Sequence, residues 1–148
     1  MPAYNTASAE WPLISISSAV KDLVQTYFGL MDDPSDTVGD RLADELFTSD
    51  GRIVAGSHAT SGTEELRKSR VNVWKAIATR RHEVRRVYAF SDKGDDILLV
   101  GHVIMGLRNQ QEVGGEFAAR MTFDLSDPSK PKLKLYQVWG VRLHPLCP

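Results

Sequence analysis

Cysteine is almost absent from this chain: its 148 residues include only Cys147, which therefore has no partner for an intrachain disulfide. A chain of this length can bury an ordinary hydrophobic core without disulfide or metal staples. The sequence also lacks any apolar run long enough to span a membrane, and residues 1–10 lack the basic start and apolar core of a signal peptide. We therefore expect a soluble, cytoplasmic protein with no membrane partner.

Neither sign of charge is in excess. The net charge is −1 and the pI is near 6.4, so the chain has no overall basic field that would attract nucleic acid. One local run, Arg80, Arg81, Arg85 and Arg86, is basic, but on alternating strand positions such a run is typical of a solvated face. Nucleic acid is therefore not a predicted partner.

Motifs for metal or cofactor chemistry are missing. The pair His82-Glu83 lacks the second histidine of an H-E-x-x-H zinc helix, and the four histidines of the chain are scattered. Gly114-Gly115 lies between two predicted strands, whereas a phosphate-binding loop follows a strand and precedes a helix. No nucleophile elbow is present, and Cys147 in a terminal tail is a weak candidate nucleophile. The sequence predicts neither a metal nor a cofactor.

The chain does contain three amphipathic helical segments at its start. From Ser18 the apolar residues, Tyr27 among them, recur at helical spacing as far as Met31, and Pro34 ends this first helix. The segments predicted after it are a shorter helix over 38–46, a turn at 47–51, a short strand at 52–55, a loop at 56–62 and a third helix over 63–77. The predicted organisation is a flexible arm, a single domain and a tail, at residues 1–12, 13–144 and 145–148.

Strand-like alternation replaces the helical period between Arg80 and Leu143. Turn-rich breaks divide this stretch into four strands, at residues 91–94, 109–115 and 127–131. A curved meander laid over helices makes a cone with an open mouth. We therefore predict an α+β fold in which a curved antiparallel sheet wraps around the three N-terminal helices, and polar side chains inside the cone would contact a bound small molecule.

Alternation also assigns faces to the last two strands. In the strand that begins at Glu116, Arg120 falls opposite the apolar face. In the final strand Gln137 and Trp139 share the apolar, inward face, and Tyr136 lies opposite. The other residues on that inward face are Leu133, Leu135 and Val141. Arg120 and Tyr136 are expected to face outward unless a bulge reverses the register.

The strand over residues 97–108 is apolar on both faces. We therefore expect a homodimer in which a second subunit covers the outer surface of the sheet. His102, in the middle of this strand, is not assigned to either face.

The order of these elements, together with several short motifs, resembles the nuclear-transport-factor-2-like superfamily, and its SnoaL-like polyketide-cyclase branch is the closest fit. The motifs are Val24-Gln25-Thr26-Tyr27-Phe28, Phe47-Thr48-Ser49-Asp50-Gly51, Arg81-His82-Glu83-Val84, Ala118-Ala119-Arg120 and Leu135-Tyr136-Gln137-Val138. The resemblance extends over residues 20–141. It implies the cone fold and, through small fungal members of the branch, enzymes that act on polyketides, meroterpenoids or alkaloids.

Two groups of enzymes in this superfamily suggest roles for individual residues. In bacterial steroid isomerases, the tyrosine that hydrogen-bonds the developing oxyanion falls at Tyr27, but the aspartate base falls near Ala55, which argues against steroid isomerisation. In scytalone dehydratase, a tyrosine and an aspartate at the end of the first helix fall near Met31 and Asp32, and a pocket histidine falls at His82.

Cofactor-free chemistry requires a group that moves a proton and a group that stabilises an oxyanion or a leaving oxygen. His82 could move the proton near neutral pH, and Asp32 could orient that histidine or act as a base. Tyr27 and Arg41 could donate hydrogen bonds to an oxygen. The remaining candidates, for substrate binding, are Trp74, Trp139, Gln137, His58, His102 and Arg120.

Each of these catalytic assignments has a structural alternative. Tyr27 could be an ordinary core residue, His82 a satisfied structural histidine and Asp32 a turn residue. Arg41 could simply pair with Glu45 one helical turn away, which contributes little at a surface.

The sequence thus predicts a cofactor-independent isomerase, cyclase or dehydratase that acts by general acid–base catalysis on a small oxygenated natural-product intermediate. The alternative is a noncatalytic module of the same fold that binds a ligand or a protein partner through the cone or through the outer sheet face.

Overall fold

The computed structural model describes residues 4–140 and 142–146. Two residues of the sequence predictions, Val141 and Cys147, lie outside this part of the chain. The helices are α1 (Tyr4–Ala7), α2 (Ser18–Met31), α3 (Val38–Arg41), which continues into a π-helical turn (Leu42–Leu46), and α4 (Thr63–Lys68). The strands are β1 (Phe47–Ala55), β2 (His58–Ser61), β3 (Ile77–Ala89), β4 (Asp96–Leu107), β5 (Glu112–Asp124), β6 (Lys132–Trp139) and β7 (His144–Pro145).

Helix α2 is the element against which the sheet packs. The hydroxyl of Ser17 caps its N-terminus and accepts a hydrogen bond from the backbone N–H of Val20 at 3.2 Å. Its apolar stripe is fully buried at Val24 and Phe28. The helix ends at Met31 because the following Asp-Asp-Pro sequence cannot continue it. The residue that follows this helix end is Asp32.

The strands form one curved, unclosed sheet in the order β2-β1-β6-β5-β4-β3, and β7 pairs with β5. Neighbouring strands are antiparallel except β1 and β6, which are parallel. The inner face of the sheet packs against α2, and the buried core fills this space. This architecture confirms the α+β fold that the sequence predicts.

Several short segments differ from the sequence prediction. The motif predicted as a turn at 47–51 is the start of β1, where the register with β6 shifts between Phe47 and Arg52. The predicted loop at 56–62 contains β2, which pairs with the end of β1. The third helix stops at Lys68, and Ile77 instead begins β3 opposite Leu107. Pairing with neighbouring strands outweighs the local patterns at these places.

The N-terminal segment is packed, whereas the sequence suggested a loose arm. Residues 4–7 are helical and lie against β3, and Asn5 is only 1% exposed. Further along, Glu10 pairs with β3 through its backbone, because its N–H donates to the carbonyl of Arg85 and its carbonyl accepts from Val87, each at 2.9 Å. The N-terminal segment therefore packs against β3, the strand at one edge of the sheet.

The outer face of β4 is partly apolar, with Leu98 39% exposed and Val100 and Ile104 half-buried. The dimer predicted through this face stays a prediction. Within the described residues, no helix combines the length and hydrophobicity needed to cross a membrane.

Candidate active site

A cavity of about 410 Å³ lies between the C-terminal end of α2 and the inner face of the sheet. Its polar lining residues are Tyr27, His58, Thr60, Ser69, Arg70, Arg80, His82 and Tyr136. Its apolar walls include Ile53, Val73, Val103, Met105, Phe117 and Val138. A mostly apolar cavity with a few convergent polar groups is typical of a small-molecule site.

A histidine and a carboxylate are paired at one side of this cavity. Nδ1 of His82 lies 2.6 Å from Oδ1 of Asp32, and the backbone N–H of His82 donates to Oδ2 at 2.8 Å. The carboxylate lies behind the imidazole, with 4% of its side chain exposed against 13% for His82. Since an ionised carboxylate only accepts hydrogen bonds, Nδ1 is the protonated nitrogen. Nε2 then has a free electron pair, and the side-chain hydrogen bonds of His82 among the described residues involve Nδ1 and the backbone but not Nε2.

Aromatic rings hold the imidazole in place. The ring centroids of Phe28 and Phe117 each lie 5.5 Å from that of His82. Phe117 can approach because residue 101 is glycine: a Cβ there would lie 2.9 Å from the Phe117 ring. The side chain of His82 therefore has little freedom to leave Asp32.

The N-terminal helix completes the hydrogen bonds of the carboxylate. The hydroxyl of Tyr4 and Nδ2 of Asn5 donate to Oδ2 of Asp32 at 2.8 and 2.9 Å. The same Nδ2 donates to the carbonyl oxygen of His82 at 2.8 Å. Asp32 is thus fixed from two directions, by the sheet and by α1.

The pKa values of the pair favour a neutral imidazole beside an ionised carboxylate. Burial lowers the pKa of His82 below its ordinary value of 6.5, and the charges of Arg80 and Arg70 lower it further, against the opposing effect of Asp32. Burial by itself would raise the pKa of Asp32, but the hydrogen bonds and charge of His82 and the hydroxyl of Tyr4 leave it below the ordinary value. His82 is therefore suited to accept a proton near neutral pH.

Two arginines meet at the end of α2. Nη2 of Arg70 and Nε of Arg80 each donate to the carbonyl oxygen of Met31 at 3.0 Å, and Nη2 of Arg80 contacts the same oxygen. Arg80 also lies over the ring of Trp74, 5.2 Å from its centroid, and its Nε is 3.9 Å from Oδ1 of Asp32. Burial first, and then the charge of Arg80, lowers the pKa of Arg70 to about 10, so Arg70 stays cationic at neutral pH. Burial also lowers the pKa of Arg80, against the charge of Asp32, and a guanidinium group stays protonated in proteins.

Tyr27 and Tyr136 form a phenolic part of the same cavity wall. Their ring centroids are 4.5 Å apart, and burial raises the pKa of each hydroxyl, so both stay protonated. The hydroxyl of Tyr27 is buried and has no hydrogen-bond partner among the described residues. Such a group normally has a partner, which makes Tyr27 a candidate donor to a bound oxygen.

The structure brings together three of the four predicted catalytic residues: His82 and Tyr27 line one cavity and Asp32 contacts His82 from behind, and their catalytic roles stay predictions. The prediction that Arg41 also lies there is wrong. Its Nε pairs with Oε2 of Glu45 at 3.1 Å on an exposed surface, since the short helix α3 turns this side chain away from the sheet.

Among the predicted substrate-binding residues, Gln137 and Trp139 face outward. Phe123 pairs with Leu133 and Thr122 with Leu135, so β6 contains a bulge that reverses its alternation. The side chain of Tyr136 consequently lies inside. Gln137 pairs with the outward-facing Arg120, and Trp139 is 45% exposed beside a shallow groove on the outer face.

Arg120 and His102 also lie on the outer face, so neither can line the cavity. Arg120 makes a two-pronged ion pair with Asp96, at 2.9 and 2.7 Å. His102 alternates with the buried Gly101 and Val103 of β4, and its neighbours across the strands are acidic residues, Glu83 and Glu116.

Trp74 and His58 are the remaining predicted residues. Trp74 stacks on Arg80 from behind and is not part of the cavity wall, because the chain leaves α4 at Lys68 and runs irregularly here. His58, at the start of β2, does line the cavity and is exposed at its edge.

Sequence reasoning missed Tyr4, Asn5, Arg70, Arg80 and Tyr136. Only Arg80 had a clear signal in the sequence. It is two residues from His82 in a predicted strand, so the two side chains lie on the same face. Arg70 lies in an irregular segment, and Tyr136 required knowledge of a bulge. Among the described residues, no three His, Cys, Asp or Glu side chains gather in a way that could hold a metal ion.

No protein-family model and no curated protein sequence matches this chain. Solved structures do match. The hexachlorocyclohexane dehydrochlorinase LinA-type3 from Novosphingobium barchaimii superposes with a TM-score of 0.66 at 18% identity, over 87% of this chain and 88% of that chain. A proposed scytalone dehydratase from Novosphingobium aromaticivorans gives 0.67 at 14% identity, over 87% and 86%.

A nuclear-transport-factor-2-like superfamily protein from Salmonella enterica gives a TM-score of 0.63 at 11% identity, over 83% of this chain and 89% of that chain. The chain therefore has the nuclear-transport-factor-2-like fold, which confirms the fold resemblance found in the sequence.

Proposed function

We propose that this protein is a cofactor-free enzyme that moves a proton within a small oxygenated molecule, as an isomerase, cyclase or dehydratase. The observation that supports this most directly is the buried His82–Asp32 pair: His82 lines a cavity that is also lined by Tyr27, whose buried hydroxyl has no hydrogen-bond partner among the described residues. A base and a hydrogen-bond donor in one desolvated space are the two groups that such a reaction needs.

The reaction begins when Nε2 of His82 removes a proton from a carbon next to a carbonyl group. The electrons of the broken C–H bond move onto the carbonyl oxygen, where Tyr27 donates a hydrogen bond to the developing oxyanion. Asp32 keeps the proton on Nδ1 and stabilises the imidazolium that forms. The imidazolium then returns its proton, to another carbon in an isomerisation or to a departing hydroxyl group in a dehydration.

The solved structures that share the fold support this reaction class. They include a hexachlorocyclohexane dehydrochlorinase and a proposed scytalone dehydratase, and both names describe eliminations. The sequence resemblance to SnoaL-like proteins favours a polyketide, meroterpenoid or alkaloid intermediate as substrate. These likenesses are weaker support than the geometry, because one fold can support many functions.

Proton abstraction can be tested without knowing the natural substrate. The protein is incubated with 2-tetralone in D₂O, and the loss of the C–H signals next to its carbonyl is followed by proton NMR. We expect exchange above the buffer rate, reduced by about 10²- to 10⁴-fold in His82→Ala, since the general base is lost. Tyr27→Phe should reduce it by about 10²-fold because one oxyanion donor is removed.

The matched control is His102→Ala, because that histidine lies on the outer face of β4. Its exchange rate should equal that of the unmodified protein. Exchange that is absent in the unmodified protein, or that persists in His82→Ala, would contradict the proposed chemistry and favour a ligand-binding module.

A further inference from the structure

We propose that the substrate of this site contains a planar oxyanion, such as a carboxylate or an enolised 1,3-dicarbonyl group, which binds to Arg70 and Arg80. The inference rests on the proposed function in one respect, namely that the bound molecule lies beside His82. It adds the chemical class of the molecule, which the acid–base pair alone does not define.

The first argument is the balance of charge in the cavity wall. Two guanidinium groups line the cavity, and the carboxylate beside them is Asp32, whose side chain is 4% exposed and lies behind His82. The charge of the next carboxylate along the chain, Asp33, also acts on Arg70, but that side chain accepts the backbone N–H of Ser35 at 2.8 Å in a turn and does not line the cavity. With His82 neutral, the wall has one positive charge more than Asp32 balances. A buried charge in excess is costly unless an opposite charge accompanies it.

The second argument is the balance of hydrogen bonds. A carbonyl oxygen at the end of a helix needs partners, and a nearby cation favours that position. However, the carbonyl oxygen of Met31 has two lone pairs and receives donors from both arginines. Nη1 of Arg70 reaches only the sulfur of Met31, a weak acceptor, at 3.5 Å, and Nε of Arg70 is buried without a partner among the described residues.

Helix capping thus uses N–H groups of both arginines but leaves Nε of Arg70 without an acceptor. The surface offers an instructive contrast in Arg67, whose Nη1 and Nη2 donate to Asp40 and Asp44 at 2.9 to 3.0 Å. That arginine has all the acceptors it needs within the protein. The acceptor that Arg70 lacks would be supplied by a bound anion that also meets the charge of Arg80, since guanidinium groups match carboxylates in shape and charge.

The geometry also connects the anion to the chemistry. Arg80 and His82 are two residues apart on the inner face of β3, so an oxyanion on the arginines would lie next to the imidazole. A carbon acid conjugated with that oxyanion would present its C–H bond to Nε2. Positive charge at this place would also stabilise the additional negative charge that develops during proton removal.

The test compares two probes of the same shape, 2-naphthoate and its uncharged amide 2-naphthamide. Binding to the unmodified protein at pH 7 is measured by isothermal titration calorimetry. We expect the carboxylate to bind at least about tenfold more tightly than the amide, since a charge-assisted hydrogen bond contributes that much or more. Equal affinities, or no binding of either probe at millimolar concentration, would overturn the proposal without any variant being needed.

The double variant Arg70→Gln/Arg80→Gln identifies the groups responsible, because glutamine can still donate to the carbonyl of Met31. The preference for the carboxylate should disappear in it and should remain in Arg85→Gln, a control on the outer face of the same strand. A preference that persists in the double variant would contradict the assignment. Since calorimetry needs no turnover, this result is independent of the deuterium exchange: either proposal can fail while the other stands.

Discussion

On the inner face of β3, Arg80 and His82 share one buried carboxylate, that of Asp32, whereas on the outer face Arg85 and Arg86 each have an acidic partner of their own. The outer arginine side chains are 53% and 52% exposed, and their partners are more exposed still. The inner side chains are at most 13% exposed. One strand therefore has similar residues in two very different environments.

The difference shows where ionisable groups have a role beyond solubility. Exposed ion pairs contribute little to stability, and their charges are screened by water and salt. Buried groups with incomplete partners have a free-energy cost, and clusters of this kind with perturbed pKa values occur most often at functional sites. The contrast between the two faces can be tested with substitutions on one face of the sheet at a time.

The largest effect is expected from Asp32→Asn. An amide can donate to Nδ1 of His82 and would then leave the proton on Nε2, the nitrogen that must accept one. We expect the exchange rate of 2-tetralone to fall by about 10²- to 10⁴-fold with little change in affinity for the ketone. The variant Asp96→Asn alters a carboxylate of the outer face and should keep the full rate; similar losses in both variants would remove the distinction between the faces.

A smaller effect, on stability, is expected from Asn5→Ala. This change removes the donor shared by Asp32 and the carbonyl of His82 and leaves both acceptors with one hydrogen bond fewer. The free energy of unfolding, measured by urea denaturation, should fall by about 1–3 kcal/mol. Asn72→Ala, at an exposed position, is the control and should change it little. If the two variants are equally stable, α1 does not support the site.

The parts of this site that sequence could predict are those on regular elements. Helical spacing placed Tyr27 on the buried stripe of α2, and the resemblance to scytalone dehydratase pointed to Asp32 at the end of that helix. The sequence predictions failed where tertiary structure overrides the local pattern of residues. The bulge in β6 exchanged Tyr136 with Gln137, and the third predicted helix ended at Lys68, before Trp74.

Long-range contacts were the other source of error. No local pattern in residues 1–12 shows that Asn5 will bind Asp32, which is 27 residues away in the chain. Likewise, Arg41 and Arg80 are both arginines. Only the folded structure shows that Arg41 pairs with Glu45 at the surface, whereas Arg80 reaches the end of α2. The residue types needed for the chemistry could be found, but their positions depended on the fold.

The arginines on the two faces should also differ in their influence on His82. In Arg80→Gln the loss of a nearby positive charge should raise the pKa of His82, which is measured by following its imidazole C–H signals in an NMR titration. The acid limb of the exchange rate, which we expect to follow the lowered pKa of His82, should move to higher pH with it. Arg85→Gln should leave both unchanged.

The sign of the effect on stability follows from the same shift. Since the pKa of His82 is lowered by folding, the unfolded chain binds its proton first, so this residue reduces stability as the pH falls below 6.5 and has no effect well above it. Arg80→Gln should make that acid loss smaller. An unchanged titration of His82 would show that water screens the cavity and would weaken the case for a desolvated site.

The smallest effect is expected where the geometry is most favourable. Arg120 and Asp96 form a two-pronged pair at 2.9 and 2.7 Å, but 44% of the arginine side chain is exposed, so water replaces the lost contacts when the pair is broken. We expect Arg120→Ala to lower the free energy of unfolding by less than about 1 kcal/mol and to leave the exchange of 2-tetralone unchanged. A loss of exchange activity would mean that the outer face communicates with the cavity, for example through a second subunit. An unchanged rate would mean that the exchange reaction depends on the inner face of the sheet. The ion pairs there are buried, so water cannot replace a contact that is lost.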